Sequence, residues 1–247
     1  MQLGFFISGG AGQMMQNRLD SISNNLANAS TVGYMEDRTA FSSMFSSKMA
    51  RDGVPDNTSA AHLSMNTQYT SIEPGSIRNS GGEFDFAIHG KAFFRVQMQD
   101  GTEALTRAGN FHIDAEGNLK TQGGQSVLDN NGTPIQLPIG DVSATGNGTI
   151  FVNGNPVTEL GLSMLSDPRQ IQKTEGVLIR TPAENIIPAD DSISVHHHSL
   201  EESNVNSILT MTAMIATTRE YESMMKTLEQ YNQQASLLND RVGMVQG

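Results

Sequence analysis

Near the C-terminal end of the chain, Met214, Tyr221, Leu228, Ala235 and Val242 recur every seven residues, and Thr217, Met224, Tyr231 and Leu238 form a second register three residues on. Apolar residues at that period lie along one narrow line of an α-helix, so the pattern demands a long helix with its stripe covered by something apolar. Ser203 or Asn206 fits the N-cap of that helix and Gly243 a terminator, while Ile208, Met211 and Ile215 are expected to continue the stripe upstream. The opening segment carries a matching stripe, Met15, Leu19, Ile22, Leu26 and Ala29, in steps of 4, 3, 4 and 3. Traced backwards it meets Ala11 and Ser8, small enough to let another helix approach, and Gly33 fits a C-cap that stops it.

Between these ends the period changes. Glu83 to Arg95, EFDFAIHGKAFFR, begins with alternation, and Asp100-Gly101, Gly117-Asn118, Gly123-Gly124, Asn131-Gly132 and Asn153-Gly154 punctuate the short runs that follow. Turn pairs at this spacing mark hairpins, and the prolines from Pro134 to Pro188 suit turns and edge strands. The expected class is α+β: a central all-β, hairpin-rich domain flanked by N- and C-terminal α-helices that pair as a discontinuous, coiled-coil-like helical domain. The expected boundaries are 1–35 for the first helix, 36–71 for a connector, 72–198 for the β-rich domain and 199–247 for the second helix. In the connector, Phe41, Met44, Phe45 and Met49 extend or follow the first helix, and RDGVPDNTSAAH reads as irregular.

Two long helices with narrow stripes are only marginally stable alone. Pairing them still leaves much of each stripe wet, so they either lie on the β-domain or pack against the same helices of neighbouring copies. Faces rich in Asn, Gln, Ser and Thr favour the second arrangement. Met15, Leu19, Ile22, Asn24, Asn25, Leu26 and Asn28 at one end, with Met214, Tyr221, Met224, Leu228, Tyr231 and Leu238 at the other, are the expected assembly interface.

Composition narrows the chemistry. Among 247 residues, 26 acidic against 15 basic give a net charge of -11, which opposes binding to nucleic acid or anionic lipid. With no cysteine, disulfides, thiolate metal sites and cysteine nucleophiles are excluded. The start, MQLGFFISGGAGQMM, lacks a basic region and does not read as a secretory signal, and no apolar run approaches the ~20 residues of a membrane span.

Candidate sites come out bland. In an extended His196-His197-His198 only the first and third share a face, and a solvated strand end is the simpler reading; His62, His89 and His112 have no identifiable partner. Asp114 to Asn118 and Asp129 to Gly132 lack calcium-loop spacing and read as hairpin turns. Gly81-Gly82 and Gly123-Gly124 do not open a phosphate-cradling helix, no G-x-S-x-G elbow occurs, and Glu83 with Asp85 reads as an exposed strand face. The methionines Met211, Met214, Met224 and Met225 read as adaptable packing. No catalytic residue, cofactor or metal is expected.

Four blocks together carry a resemblance. NNLANASTVGY from Asn24, EPGSIRNSGGEFDFAIHGKAFFRV from Glu73, LTRAGNFHIDAEGNLKTQGGQSVLDNNGTPI from Leu105 and LEESNVNSILTMTAMIATTREYE from Leu200 resemble, in order, the signatures of the bacterial flagellar rod and hook proteins. Length and the segments Leu160 to Gly176 and Arg219 to Lys226 look most like the proximal-rod branch, with the distal-rod branch as the close alternative. Glu202 and Ser207 stand where the family often has Gly and Pro, and Lys91 and Ala92 replace small loop residues, changes that tune subunit contacts rather than class.

The resemblance implies a structural subunit of the periplasmic rod, exported without a cleavable signal through the flagellum's own type III apparatus. It implies partners that are other copies and other rod proteins, terminal helices lining the export channel, and β-domains outside them. Two rivals from other classes make different demands: a β-rich carbohydrate-active enzyme needs a carboxylate pair in a cleft, and a metal-binding or adhesin-like module needs ligands converging on one point.

Overall fold

A computed structural model describes residues 2–41, 66–174, 176–190 and 192–243; in its two long helices, side chains are described for residues 12–27 and 207–233 except Tyr231. Expectations for the connector, including Met44, Phe45, Met49 and His62, and for the side chains of Ser8, Ala11, Phe41, Tyr231, Ala235, Leu238 and Val242 lie outside the described residues.

Two helices, α1 (Gln2–Ala27) and α2 (Ser207–Gly243), flank a β-rich region. The chain divides into two compact units. One comprises the described residues of Met1–Leu26, Asp37–Tyr69 and Ser207–Gly247, the other those of Ala27–Glu36 and Thr70–Asn206.

α1 ends six residues before Gly33, which corrects the expected cap. Asn28 stops it: the Thr31 amide donates to the Asn28 carbonyl at 3.0 Å and the Thr31 hydroxyl to the Asn28 side chain at 3.2 Å. Short polar side chains of this kind compete with the helical backbone pattern. Ala29 accordingly sits in a turn rather than on the helical stripe. Gly33 has another task. Its φ of +66° favours glycine, and a Cβ there would lie 2.2 Å from the Ala108 nitrogen, so the backbone packs directly on Arg107-Ala108.

The larger sheet of the β unit is antiparallel and centred on Phe93–Gln97, which pairs with Glu103–Thr106, Ser126–Val127 and Leu162–Leu165. Successive strand residues face opposite sides, and here both sides are covered. Phe94 and Val96 join Phe86, Ile88, Phe111, Leu119 and Ile150 in the main core, whereas Phe93 packs with Leu105, Ile179 and Met35 in a second cluster. A smaller three-stranded sheet orders Val142–Ala144, Thr149–Val152 and Asn155–Glu159 as a meander.

At the second face lies a buried ion pair. The Arg107 Nη1 is 3.0 Å from the Glu201 Oε2, with side chains 1% and 4% exposed. Arg107 also donates through Nη2 to the Gly90 carbonyl at 2.7 Å and stacks over Phe93 at 4.8 Å, while the Gly75 amide donates to Glu201 at 2.8 Å. Burial pushes the Glu201 carboxyl up, opposed by the Arg107 charge, and pushes the Arg107 guanidinium down. Desolvation thus offsets much of the attraction, and the pair contributes position more than net stability.

Asn204 ties adjoining segments together. Its side chain accepts from the Glu36 amide at 2.7 Å and donates to the Ser71 and Glu73 carbonyls at 3.1 and 2.8 Å. Nearby, the Gly33 amide donates to the Glu201 carbonyl at 2.9 Å, and Lys173 donates to the Met35 carbonyl with its ammonium 3.9 Å above the Tyr34 ring. Residues 33–36, just after α1, and 201–204, just before α2, are therefore fastened at one place in the β unit.

The histidine run lies at a strand end with His196 and His198 exposed, but His197 is partly buried. His197 in the strand Ser194–His197 stacks between Phe86, at 5.1 Å, and His198, at 3.7 Å. Since carbonyl oxygens only accept, the ring nitrogens must donate: His197 Nε2 to Glu83 at 2.7 Å and His198 Nδ1 to Gly82 at 2.9 Å. His198 closes the clasp from the other side, its carbonyl accepting from the Ser80 and Gly81 amides. His196 turns instead toward His89, with ring centroids 6.2 Å apart.

Two predictions follow from this packing. Glu201→Gln leaves the Arg107 charge buried without its counter-ion and is expected to destabilise the β unit by about 3–5 kcal/mol in urea unfolding, with Arg107→Met/Glu201→Met closer to wild type. Equal stability of Glu201→Gln and wild type would contradict this. Burial, with the His198 charge adding to it, lowers His197 below its ordinary 6.5 despite the nearby Glu83 and Asp85. A neutral ring is thus favoured by folding, so its contribution is present above that value and lost as pH falls below it. Thermal melts from pH 7.5 to 5 should show a steeper loss for wild type than for His197→Gln; parallel slopes would remove the histidine stack as the cause.

Candidate assembly surface

α2 begins at Ser207, directly after Asn206, one of the two expected cap positions, and runs through Gly243. One of its faces is sheltered: Thr210 and Thr217 are buried, and Met214, Tyr221, Met224 and Leu228 are half-buried. Their alternating steps of 4 and 3 place them along one line. Ile208, Met211 and Ile215 do not continue that line. At ~100° per residue they fall roughly 100–160° around the helix from it. They are 77%, 53% and 52% exposed, and Leu209 beside them is 66% exposed. α2 therefore carries two apolar faces, one covered and one open, where the sequence pattern had suggested a single stripe.

On α1, Met15, Leu19, Ile22 and Leu26 are half-buried, in keeping with one sheltered side. Arg18 Nη1 on α1 lies 3.7 Å from Glu220 Oε2 on α2; both side chains are well exposed, so this pair contributes little energy. The asparagines differ from one another. Asn25 is buried, its amide donating to the Asp37 carbonyl at 2.8 Å and its carbonyl accepting from the Asp37 amide at 2.9 Å. Ser21 adds a hydroxyl donated to the same Asp37 carbonyl at 3.1 Å. Asn24 is exposed, and Asn28 is half-buried in the turn that ends α1. Of the three amides, Asn25 works within the chain, holding the strand Asp37–Phe41 against the last turn of α1. No local sequence pattern signals this, because the atoms that Asn25 and Ser21 bond belong to the Asp37 backbone.

Thr217 is the odd member of the sheltered face. Its side chain is 1% exposed and its hydroxyl has no hydrogen-bond partner among the described residues. An orphan buried hydroxyl weakens the packing around it.

Carboxylates that invited chemical readings are occupied by their own turns. Asp114 Oδ1 accepts from the Glu116 and Asn118 amides at 3.0 and 2.8 Å, and Lys120 with Asn118 holds its carboxyl well below the usual range. Asp129 Oδ1 accepts from the Asn131 and Thr133 amides at 2.8 Å each. Glu83 accepts from the Val142 amide at 3.3 Å, and Asp85 bridges to Asn110, so the two are not an exposed pair on one strand. Among the described residues, no three His, Asp or Glu side chains are grouped to hold a metal ion. No described helix is long and apolar enough to cross a membrane.

A cleft of about 680 Å³ opens on the β unit between Leu160, Leu162, Ile186, Pro188, Ala189 and Ile193, with Arg95, Glu103 and Asp190 among its lining. Glu103 is held by Arg95 at 2.7 Å, and Asp190 accepts from the Ser192 amide at 3.0 Å. Both carboxylates are thus engaged by neighbouring groups.

Comparison with known proteins matches this architecture segment by segment. A family profile described as "Flagella basal body rod protein" matches residues 7–34, "Flagellar hook protein FlgE/F/G D1 domain" matches 87–155, and "Flagellar basal body rod FlgEFG protein C-terminal" matches 197–241. A flagellar basal-body rod protein FlgF of Rhizobium meliloti is 30% identical over 227 residues, and one of Mesorhizobium japonicum 33%, each match covering 90% of both chains. A flagellar basal-body rod protein FlgG of Agrobacterium fabrum is 27% identical, covering 91% of this chain and 93% of the relative. With matches at both helical ends and in the β unit, and near-full-length relatives at this identity, the chain belongs to the flagellar basal-body rod protein family.

Proposed function

We propose that the chain polymerises as a structural subunit of the flagellar basal-body rod, with its terminal helices forming the subunit contacts. The observation that carries this is the open apolar face of α2, where Ile208, Met211 and Ile215 stand in water along the first turns of a 37-residue helix. Such a face on a helix whose other side is already sheltered calls for a neighbour. In this reading, α1 and α2 pair as a coiled-coil-like, discontinuous helical domain from the two chain ends, with Met15, Leu19, Ile22, Leu26, Met214, Tyr221, Met224, Leu228, Tyr231 and Leu238 at its seams.

Asn24 and Asn28 join that interface, whereas the Asn25 amide supports it from within. Partners are further copies and other rod proteins, and delivery is through the flagellum's own export apparatus to a periplasmic shaft that transmits torque. The proximal branch is preferred to the distal one on the length and on the segments Leu160 to Gly176 and Arg219 to Lys226.

Ile208→Asp and Ile215→Asp are expected to leave unfolding of the free subunit within about 0.5 kcal/mol, since both sites are exposed. They should nevertheless abolish incorporation into basal bodies, read by immunoblot of purified basal bodies and by swimming. Leu26→Asp should impair both stability and incorporation. Normal rods containing Ile208→Asp and Ile215→Asp chains would overturn the assignment of this face.

A further inference from the structure

The methionines of α2 divide between its two faces. Met214 and Met224 are half-buried on the sheltered line, whereas Met211 and Met225 are 53% and 39% exposed. Both exposed ones belong to the open face. In steps of 3 and 4, Ile208, Met211, Ile215, Thr218, Glu222 and Met225 follow one line, within an arc of roughly 100° at ~100° per residue. That face therefore runs beyond its isoleucines, about 21 Å along the axis from Met211 to Met225. Thr218 does not interrupt it with a free polar group, since its hydroxyl donates to the Met214 carbonyl at 2.8 Å. Glu222 is the charged member, one turn before Met225.

Elsewhere the thioethers are better covered. Among the methionines whose side chains are described, Met35 is 3% exposed and the others outside the open face are half-buried. In a chain without cysteine, methionine carries all the sulfur, and its oxidation by peroxides follows access to the sulfur atom. The step balances with one equivalent of hydrogen peroxide. A sulfur lone pair attacks one peroxide oxygen, the S–O bond forms as the O–O bond breaks, and the departing hydroxide takes up the proton to leave as water. Sulfur is oxidised by two electrons to the sulfoxide and the peroxide is reduced. A flexible apolar side chain thereby becomes polar.

We propose that Met211 and Met225 are a peroxide-modification site that controls entry into the assembly: open to oxidant in the free chain, covered once a neighbour packs on this face. This rests on reading the open face of α2 as a subunit contact. A sulfoxide oxygen brought into that contact loses its water and finds apolar side chains, Ile208 and Ile215 on either side of Met211, so oxidised chains add poorly. The face has no such weakness at the isoleucines, which peroxide leaves unchanged. Oxidation is also reversible by methionine sulfoxide reductases, so a rejected chain is not lost.

The free full chain and basal bodies purified from flagellated cells receive the same dose of hydrogen peroxide, and sulfoxide at each methionine is read by peptide mass spectrometry. In the free chain Met211 and Met225 are expected to oxidise about tenfold faster than Met35, and in basal bodies both should slow about tenfold. Equal rates for Met211 and Met35 in the free chain would overturn the proposal. So would equal rates for Met211 in free and assembled chains, although the chain would remain a rod subunit; absence of the chain from basal bodies would instead overturn the rod reading. In cells, Met211→Gln with Met225→Gln sets a polar group of similar length at each site. That pair should melt like wild type yet enter basal bodies about tenfold less, while Met211→Leu with Met225→Leu enters normally. Equal incorporation of the two pairs would refute the control of entry.

Discussion

Arg107 and Glu201 lie 94 residues apart and are both almost wholly buried, so neither has water to fall back on. Each charge is satisfied only by groups from elsewhere in the chain: the Gly90 carbonyl and Phe93 ring for Arg107, the Gly75 amide for Glu201. A mispacked β unit would leave at least one charge in an apolar interior without its partners, an error costing several kcal/mol. The pair therefore selects one arrangement among compact alternatives. Gly33 packs on the Arg107-Ala108 backbone, and its amide reaches the Glu201 carbonyl, so the exit from α1 is fixed by the same two residues. Asn204 then fixes the approach to α2 against Glu36 and Ser71.

This explains which parts of the molecule were legible in the sequence. Class and order were, because periods of two and of three to four are written in neighbouring residues: the helical ends and the hairpin series read directly. The Arg107–Glu201 pair was not, since no local pattern joins residues so far apart. The available signal was a lone charged residue inside the otherwise apolar or small-residue block LTRAG and two adjacent glutamates in SLEES. Gly33 was read as a helix cap, whereas its role is close packing on a distant segment. Ile208, Met211 and Ile215 were read into the wrong face because a run of steps of three and four can start on either of two lines of a helix. Only burial separates those lines.

The polar character of the sheltered helical surfaces has a physical consequence. Ser21 and Asn25 direct their groups to the Asp37 backbone, while Thr217 buries a hydroxyl without a partner among the described residues. Fully apolar residues at these places would stabilise a lone helical unit more. An amide bonded to backbone at both ends gives geometry instead, since only one register satisfies it. The chain thus holds the last turn of α1 and the strand Asp37–Phe41 in one defined register, while within the β unit the sheet is covered on both faces.

That division bears on how a subunit can stay single before assembly and hold firmly afterwards. Burying Ile208, Met211 and Ile215 yields roughly 5–9 kcal/mol gross at about 1.5–3 kcal/mol per side chain. Bringing two free proteins together costs an estimated 4–15 kcal/mol in lost translation and rotation. One such contact between two free copies accordingly comes out near balance, and the open face need not drive premature pairing. At the end of a growing helical array an incoming copy meets several neighbours at once, and the association cost is incurred once while apolar burial is repeated. The same exposed residues that leave a pair marginal then make addition to an existing assembly favourable.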